Sequence, residues 1–241
     1  MKINDYFSPN FDTNARSKKS IKLIVIHYTG MQSERESLVR LCNPKSKVSS
    51  HFLITRNGTI YRLVNTNRVA WHAGYSCWGK FKSLNKNSIG IELVNKGHEF
   101  GYSNFERKQL LSLLKLCKKL VRKYHIKKNN IVGHSDVAPN RKTDPGEKFP
   151  WEKLAAHKIG IWHSCNTKIL SKKRNKKVYK IKEKIKFIKN LNKIGYCFKP
   201  KKNYNFKKVL VAFQRHYRRK LVNGVLDREC LIISENIAKN L

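Results

Sequence analysis

Five side chains of this sequence have the types and spacing to assemble a hydrolytic metal centre. His27 closes the apolar run "IKLIVIHYT" (21–29), and His134 closes a second one, "NNIVGHS". Asp144 follows His134 by ten residues, inside "IVGHSDVAPNRKTDPG" (131–146). Taken singly, each has an ordinary structural use, as a hydrogen-bonded histidine at a strand end or as an Asp-Pro turn. Together, two neutral imidazoles and one carboxylate make a three-ligand set for a catalytic zinc, with the fourth position left to water. Such an ion lowers the pKa of its water toward neutrality and polarises a carbonyl. Amide hydrolysis then needs a base and a partner for the oxyanion. Glu92 is the only acid in the apolar stretch "SIGIELV", where a carboxylate is costly unless it has a partner or a task. Lys142 stands two residues before Asp144, so on an extended segment the two point to the same side. Glu92 could pass a proton from water to the leaving amine, and Lys142 could steady the oxyanion. The structural alternatives are an ion pair for Glu92 and a solvated surface charge for Lys142.

These residues need a scaffold that brings strand ends together. "IKLIVIHYT" is β-branched and apolar on both faces near its middle, as a central strand is. "SSHFLITRNGTIYRLV" (49–64) reads as a hairpin, with Asn57-Gly58 as a two-residue turn. "SIGIELV" (88–94) and "NNIVGHS" are further short strands. From Glu106 onward, Leu110, Leu113, Leu114, Cys117, Leu120, Val121 and Tyr124 fall at helical spacing. The expected fold is α/β (α+β): a central mixed sheet covered by helices. After a basic, polar stretch (164–178) that reads as a linker, three apolar stripes recur: Ile181, Ile185, Ile188, Leu191 and Ile194; then Leu210, Phe213 and Tyr217; then Leu231, Ile233, Ile237 and Leu241. They predict a small three-helix module over 179–241, marginal alone and so packed on or tethered to the main domain. Residues 1–20 form an N-terminal extension and 21–163 the catalytic domain in this division.

Five motifs in order, "IVIHYT", "AWHAG", "SIGIELVN", "VGHSDVAP" and "KTDPG", resemble the N-acetylmuramoyl-L-alanine amidases of the type 2 amidase family. The match runs from about Ile21 to Leu154, more than half of the chain. The resemblance implies zinc ligands at His27, His134 and Asp144, the last an aspartate as in the AmpD/AmiD branch of the family. It implies a catalytic pair at Glu92 and Lys142. It also implies zinc-dependent cleavage of the amide between the lactyl group of N-acetylmuramic acid and L-alanine of the stem peptide, in wall turnover or muropeptide recycling. Trp71, His72 and Gly74 of "AWHAG" should then line the substrate groove, an aromatic beside a permissive glycine suiting a sugar or peptide chain, and His51 of "SSHFLI" should support the site. Residues 181–241, with "AFQRHYRRKLVNGVLD", resemble the peptidoglycan-binding module appended to some of these enzymes. The alternative is a peptidoglycan-recognition protein without catalysis; the intact set of five argues against it.

The bulk numbers constrain partners. The formal charge is +38, from 53 basic and 15 acidic residues, with 40% hydrophobic residues, enough for a packed core. The basic excess runs along the whole chain, and Lys, Asn and Ile crowd together throughout, so it marks no specific nucleic-acid footprint. An anionic wall or membrane surface fits the same charge. Peptidoglycan or muropeptides, including 1,6-anhydro forms, are the expected partners, and the chain is expected to be a monomer. The six cysteines show no CxxC and no tight framework, and read as reduced, separately buried thiols. The first twenty residues contain no apolar signal core and no window approaches a membrane span. That favours the cytoplasm, whereas a wall-binding module favours the envelope; the balance of the two expectations is the cell envelope or periplasm.

Overall fold

A computed structural model describes residues 2–198 and 205–241. In chain order the strands are β1 (Asn4–Asp5), β2 (Phe11–Asp12), β3 (Leu23–Tyr28), β4 (Phe52–Ile54), β5 (Ile60–Arg62), β6 (Val69–Ala70), β7 (Cys77–Trp78), β8 (Phe81–Lys82), β9 (Ser88–Leu93) and β10 (Ile131–Gly133). The helices are α1 (Glu34–Cys42), α2 (Arg107–Tyr124), α3 (His134–Val137), α4 (Trp151–Ala156), α5 (Thr167–Lys173), α6 (Ile181–Ile194), α7 (Phe206–Tyr217) and α8 (Arg228–Lys239). Six strands form one mixed sheet in the order β1-β5-β4-β9-β3-β10. β3 lies between β9 and the edge strand β10, parallel to both.

Alternation along β9 divides the two faces. Ile89, Ile91 and Leu93 join Ile24, Ile26 and Ile131 beneath Leu113, Leu116, Cys117 and Leu120 of α2. Ser88, Gly90 and Glu92 take the intervening positions and so point to the opposite face. On that second face Leu23, Val25 and Val132 form one core with Phe187, Leu191, Tyr196, Phe213 and Ile233 of the C-terminal segment. The helices after residue 166 are therefore packed on the sheet. Within 164–178, Thr167–Lys173 is helical, capped by Asn166, with Leu170 buried. The apolar face of α6 is built from Phe187, Leu191 and Ile194, while Ile181 and Ile185 at its start are exposed. Part of the expected module, 199–204, lies outside the described residues. β1 adds an edge strand from the N-terminal extension by pairing with β5. No helix among the described residues is long and apolar enough to cross a membrane.

Two expectations are corrected. The hairpin exists, but Ile54 pairs with Ile60, leaving a five-residue connection and no two-residue turn. Thr55 and Asn57 side chains accept the Thr59 N–H and fold the loop inward, and only Gly58 takes a positive φ, 92°. A Cβ on Gly58 would meet the Lys108 carbonyl oxygen at 2.8 Å, so the tip sits directly on α2. The cysteines are not all reduced: Cys77 and Cys197 form a disulfide across 120 residues. Their spacing carries no signal because β7 and the end of α6 meet only when the C-terminal helices close over the sheet. Cys42, Cys117, Cys165 and Cys230 remain thiols. Since the bridge restricts so long a loop in the unfolded chain, reducing it should lower unfolding free energy by about 2–4 kcal/mol in urea titrations compared with the oxidised protein.

Candidate metal centre

Parallel pairing sets His27 directly beside Glu92, near the C-terminal ends of β3 and β9. Residues paired in this way face the same side of a sheet, so the imidazole and the carboxyl share the second face, beyond the part covered by the C-terminal helices. His134 arrives from the next strand. β10 ends at Gly133, and His134 opens the four-residue α3. Gly133 has no substitute, since a Cβ there would lie 2.6 Å from Pro145 Cδ. Asp144 returns to this corner, where its carbonyl accepts the Ser135 N–H at 2.8 Å.

His27, His134 and Asp144 are all buried, and their ligating atoms converge. His27 Nδ1 is 2.9 Å from His134 Nδ1 and 3.0 Å from Asp144 Oδ2, and the third side of the triangle is 3.1 Å. The centre of such a triangle lies about 1.7 Å from each corner, so all three atoms would be within reach of one ion at zinc-like bond lengths of about 2.0–2.1 Å. Three potential ligand atoms at this separation could hold one metal ion, and the donor set of two imidazoles and one carboxylate matches a divalent metal. Burial and the neighbouring His134 lower His27 to about 4, which keeps its Nδ1 lone pair free at neutral pH. Burial alone would raise the Asp144 carboxyl, but a proton carried toward it by His134 or His27 outweighs burial and holds it below the usual range in the absence of a metal.

A second layer fixes which nitrogen of each histidine faces the triangle. With Nδ1 of His27 committed there, its Nε2–H donates to His72 Nδ1 at 3.1 Å. His72 Nε2 then donates to Ser88 Oγ at 3.2 Å, and that hydroxyl donates to the Leu84 carbonyl at 2.6 Å. The His72 ring fills the space over Gly90, where a Cβ would lie 2.4 Å from it. The alternation Ser88-Gly90-Glu92 thus leaves room for an imidazole at the foot of the site. His51, on the far side, accepts the Gly90 N–H on Nδ1 at 3.0 Å. His134 Nε2 donates to the Ala73 carbonyl at 3.2 Å. Arg141 donates to that same carbonyl and to the Tyr75 carbonyl, pinning the 71–75 loop against the centre.

The centre forms the floor of a cavity of about 340 Å³ that is also lined by Trp71, His72, Glu92, Lys96, His98, Arg141 and Lys142. One Glu92 oxygen, Oε2, is sealed from solvent without a hydrogen-bond partner. Burial, reinforced by the charge of Asp144 and opposed by Lys142, pushes this carboxyl well above its usual range. Lys142 leaves a turn closed on the Ala138 carbonyl and not an extended segment, yet it lines the same cavity as Asp144. Of the "AWHAG" residues, Trp71 lines the cavity and donates its indole N–H to Asp12 at 2.6 Å. His72 lines it too, but its ring is turned to His27 and Ser88. Gly74 stands at φ 54° with Arg141 against it. Sequence reasoning missed the contact of His72 with His27 and the grip of Arg141. The glycine two residues before Glu92 was the available sign of a ring packed on that strand.

Residues 17–147 match the family model described as N-acetylmuramoyl-L-alanine amidase. The chain is 37% identical over 231 residues to the amidase AmiD of Escherichia coli K12, covering 89% of this chain and 81% of that protein. It is 36% identical over 164 residues to the 1,6-anhydro-N-acetylmuramyl-L-alanine amidase AmpD of Haemophilus influenzae, covering 61% of this chain and 86% of that protein. Among solved structures, E. coli AmiD in complex with the substrate anhydro-N-acetylmuramic acid-L-Ala-D-gamma-Glu-L-Lys superposes with a TM-score of 0.80 at 34% identity, covering 95% of this chain and 92% of that one. AmpDh3 of Pseudomonas aeruginosa with anhydromuramic pentapeptide gives a TM-score of 0.81 at 29% identity, covering 96% of each chain.

The buried imidazoles make stability depend on pH. His27, His51 and His72 are all lowered, chiefly by burial, so below pH 6.5 the unfolded chain takes up protons that the fold excludes. Their contribution is present in full above pH 6.5 and declines as pH falls, His27 ceasing to add to the loss below about 4. In chelator, urea titrations at successive pH values should show unfolding free energy dropping by up to about 1.4 kcal/mol per pH unit for each of the three histidines.

Proposed function

We propose, from the premise that this chain belongs to the N-acetylmuramoyl-L-alanine amidase family and is an amidase of that type, that it cuts the lactyl–L-alanine amide of muropeptides through a single zinc ion held by His27, His134 and Asp144. The observation that carries this reading is the buried triangle of Nδ1, Nδ1 and Oδ2 with Glu92 paired beside it in the sheet. Bound there, zinc would supply a Lewis acid for the carbonyl and a more acidic water. A divalent charge in the triangle also opposes the burial that raises Glu92, returning its carboxyl toward the ionised form that a base requires. Glu92 takes the proton as the water oxygen attacks the lactyl carbonyl carbon. It returns that proton to the L-alanine nitrogen as the C–N bond breaks. Lys142, on the cavity wall, stabilises the negative charge that develops on the carbonyl oxygen. Trp71, and the loop through His72 and Gly74, border the path along which glycan or stem peptide lies.

The relatives solved with anhydro-muramic ligands support anhydro-muropeptides as substrates of this chain. The Cys77–Cys197 disulfide supports an oxidising compartment outside the cytoplasm, in the envelope or periplasm. Residues 179–241 are read as a peptidoglycan-binding-like module. Incubation with intact sacculi and with anhydro-muropeptides, side by side, tests the substrate: stem peptide should be released in a chelator-sensitive manner. No release from either in the presence of zinc rejects the enzyme reading.

Substitutions separate the roles. Asp144→Ala should abolish stoichiometric zinc, measured by metal analysis after dialysis. Glu92→Gln should keep zinc and lose about 10²–10⁴-fold in turnover. Lys142→Ala should lower kcat by about 10²–10³-fold with a smaller effect on KM, because its charge matters most as the oxyanion forms. A change confined to KM would assign Lys142 to substrate binding.

A further inference from the structure

We propose that the C-terminal helices position the metal ligand His134, by holding Asp136 on one side of it and the 71–79 loop on the other; the inference rests on the reading of His134 as a zinc ligand. Asp136 is 2% exposed and stands two residues after His134. Its Oδ2 accepts the Gly133 N–H at 2.8 Å, which folds the side chain back over the corner where β10 becomes α3. The position of this carboxylate therefore sets the backbone from which His134 projects. Its other two hydrogen bonds come from far along the chain. Tyr196, just after α6, donates its hydroxyl to Oδ1 at 2.6 Å, and His216 of α7 contacts Oδ2 through Nδ1 at 2.7 Å.

Both distant groups are locked in turn. The His216 ring is stacked between Trp151 at 3.9 Å and Tyr217 at 4.0 Å. The Tyr196 ring packs edge-on against Trp78 at 4.9 Å. A buried carboxylate is tolerated only when its lone pairs are satisfied, and here two of three donors lie outside the segment 21–163. The same turn after α6 reaches the second side of His134. Cys197 is bonded to Cys77, Trp78 bridges Tyr196, and the Gly79 N–H donates to the Gly195 carbonyl at 2.7 Å. This anchors the loop whose Ala73 carbonyl receives the His134 Nε2–H and whose His72 backs His27. One short stretch, Gly195–Cys197, therefore fixes both the main chain of His134 and the partner of its outer nitrogen.

Zinc affinity of the full-length protein, measured by competition with a chromogenic chelator, tests this alongside melting temperature. Tyr196→Phe keeps the ring and removes one hydroxyl; it should weaken zinc about 10-fold, as loss of an outer partner of a metal ligand does. His216→Ala should weaken it similarly, and His216→Asn, which keeps an amide donor near the Nδ1 position, should recover most of the loss. Phe187→Leu loosens the same module without touching Asp136, and should lower the melting temperature while leaving zinc affinity unchanged. Unchanged zinc affinity in both Tyr196→Phe and His216→Ala overturns the proposal, whatever happens to their melting temperatures. An equal loss in Phe187→Leu overturns it too, since the effect would then be general loosening. Absence of zinc binding by the unsubstituted protein would instead defeat the metal reading itself.

Discussion

Three ligand-type atoms held about 3 Å apart in a dry place repel one another unless a shared proton or a metal ion lies among them, and the sheet and its loops hold that arrangement in place. Burial makes the demand sharper. It denies the cluster water, keeps His27 neutral and leaves Asp144 to be balanced by the imidazoles beside it or by a bound cation. The sheet supplies the rigidity. A six-pair parallel register between β3 and β9 places His27 and Glu92 side by side with no freedom to drift, and β10 sets His134 one strand further along.

Around this triangle the groups fall into shells with a consistent direction of hydrogen bonding. Donors run outward from His27 to His72 to Ser88 and on to a main-chain carbonyl, so each imidazole presents its lone pair inward. Electrostatics follow the same plan. Among the described residues Glu92 keeps one sealed carboxyl oxygen without a hydrogen-bond partner, and it does so beside the position where a metal charge would sit. That shortfall is tolerable in a site that works by accepting and releasing a proton, and would be hard to explain in a surface that only recognises glycan.

Legibility in the sequence depended on whether a signal was local. The strand holding His27, the long helix Arg107–Tyr124 and the three C-terminal helices were readable because apolar spacing records which face of an element is buried. The five candidate site residues stood out because their types are unusual at strand ends and in apolar runs, and because their motifs resemble a known family. Features made by distant contact left no such trace. Nothing around Cys77 names Cys197, and nothing around Asp136 names Tyr196 or His216. Ile181 and Ile185 show the reverse failure: they share the period of the buried stripe of α6 but lie beyond the edge of the core and remain exposed. The two-residue turn expected at Asn57-Gly58 gave way to a wider loop because Thr55 and Asn57 supplied side-chain acceptors that periodicity does not register.

The packing of the C-terminal helices over the sheet has a consequence in time. A ribosome delivers this chain from the N-terminus, so all five candidate site residues have been made by residue 144, while Tyr196 and His216 are still to come. The second face of the sheet, with Leu23, Val25 and Val132, also lacks its covering core until Phe187, Leu191 and Phe213 arrive. The nascent chain therefore holds the five candidate residues on an unfinished support. The finished architecture is reached only when the last quarter of the protein folds back onto the first.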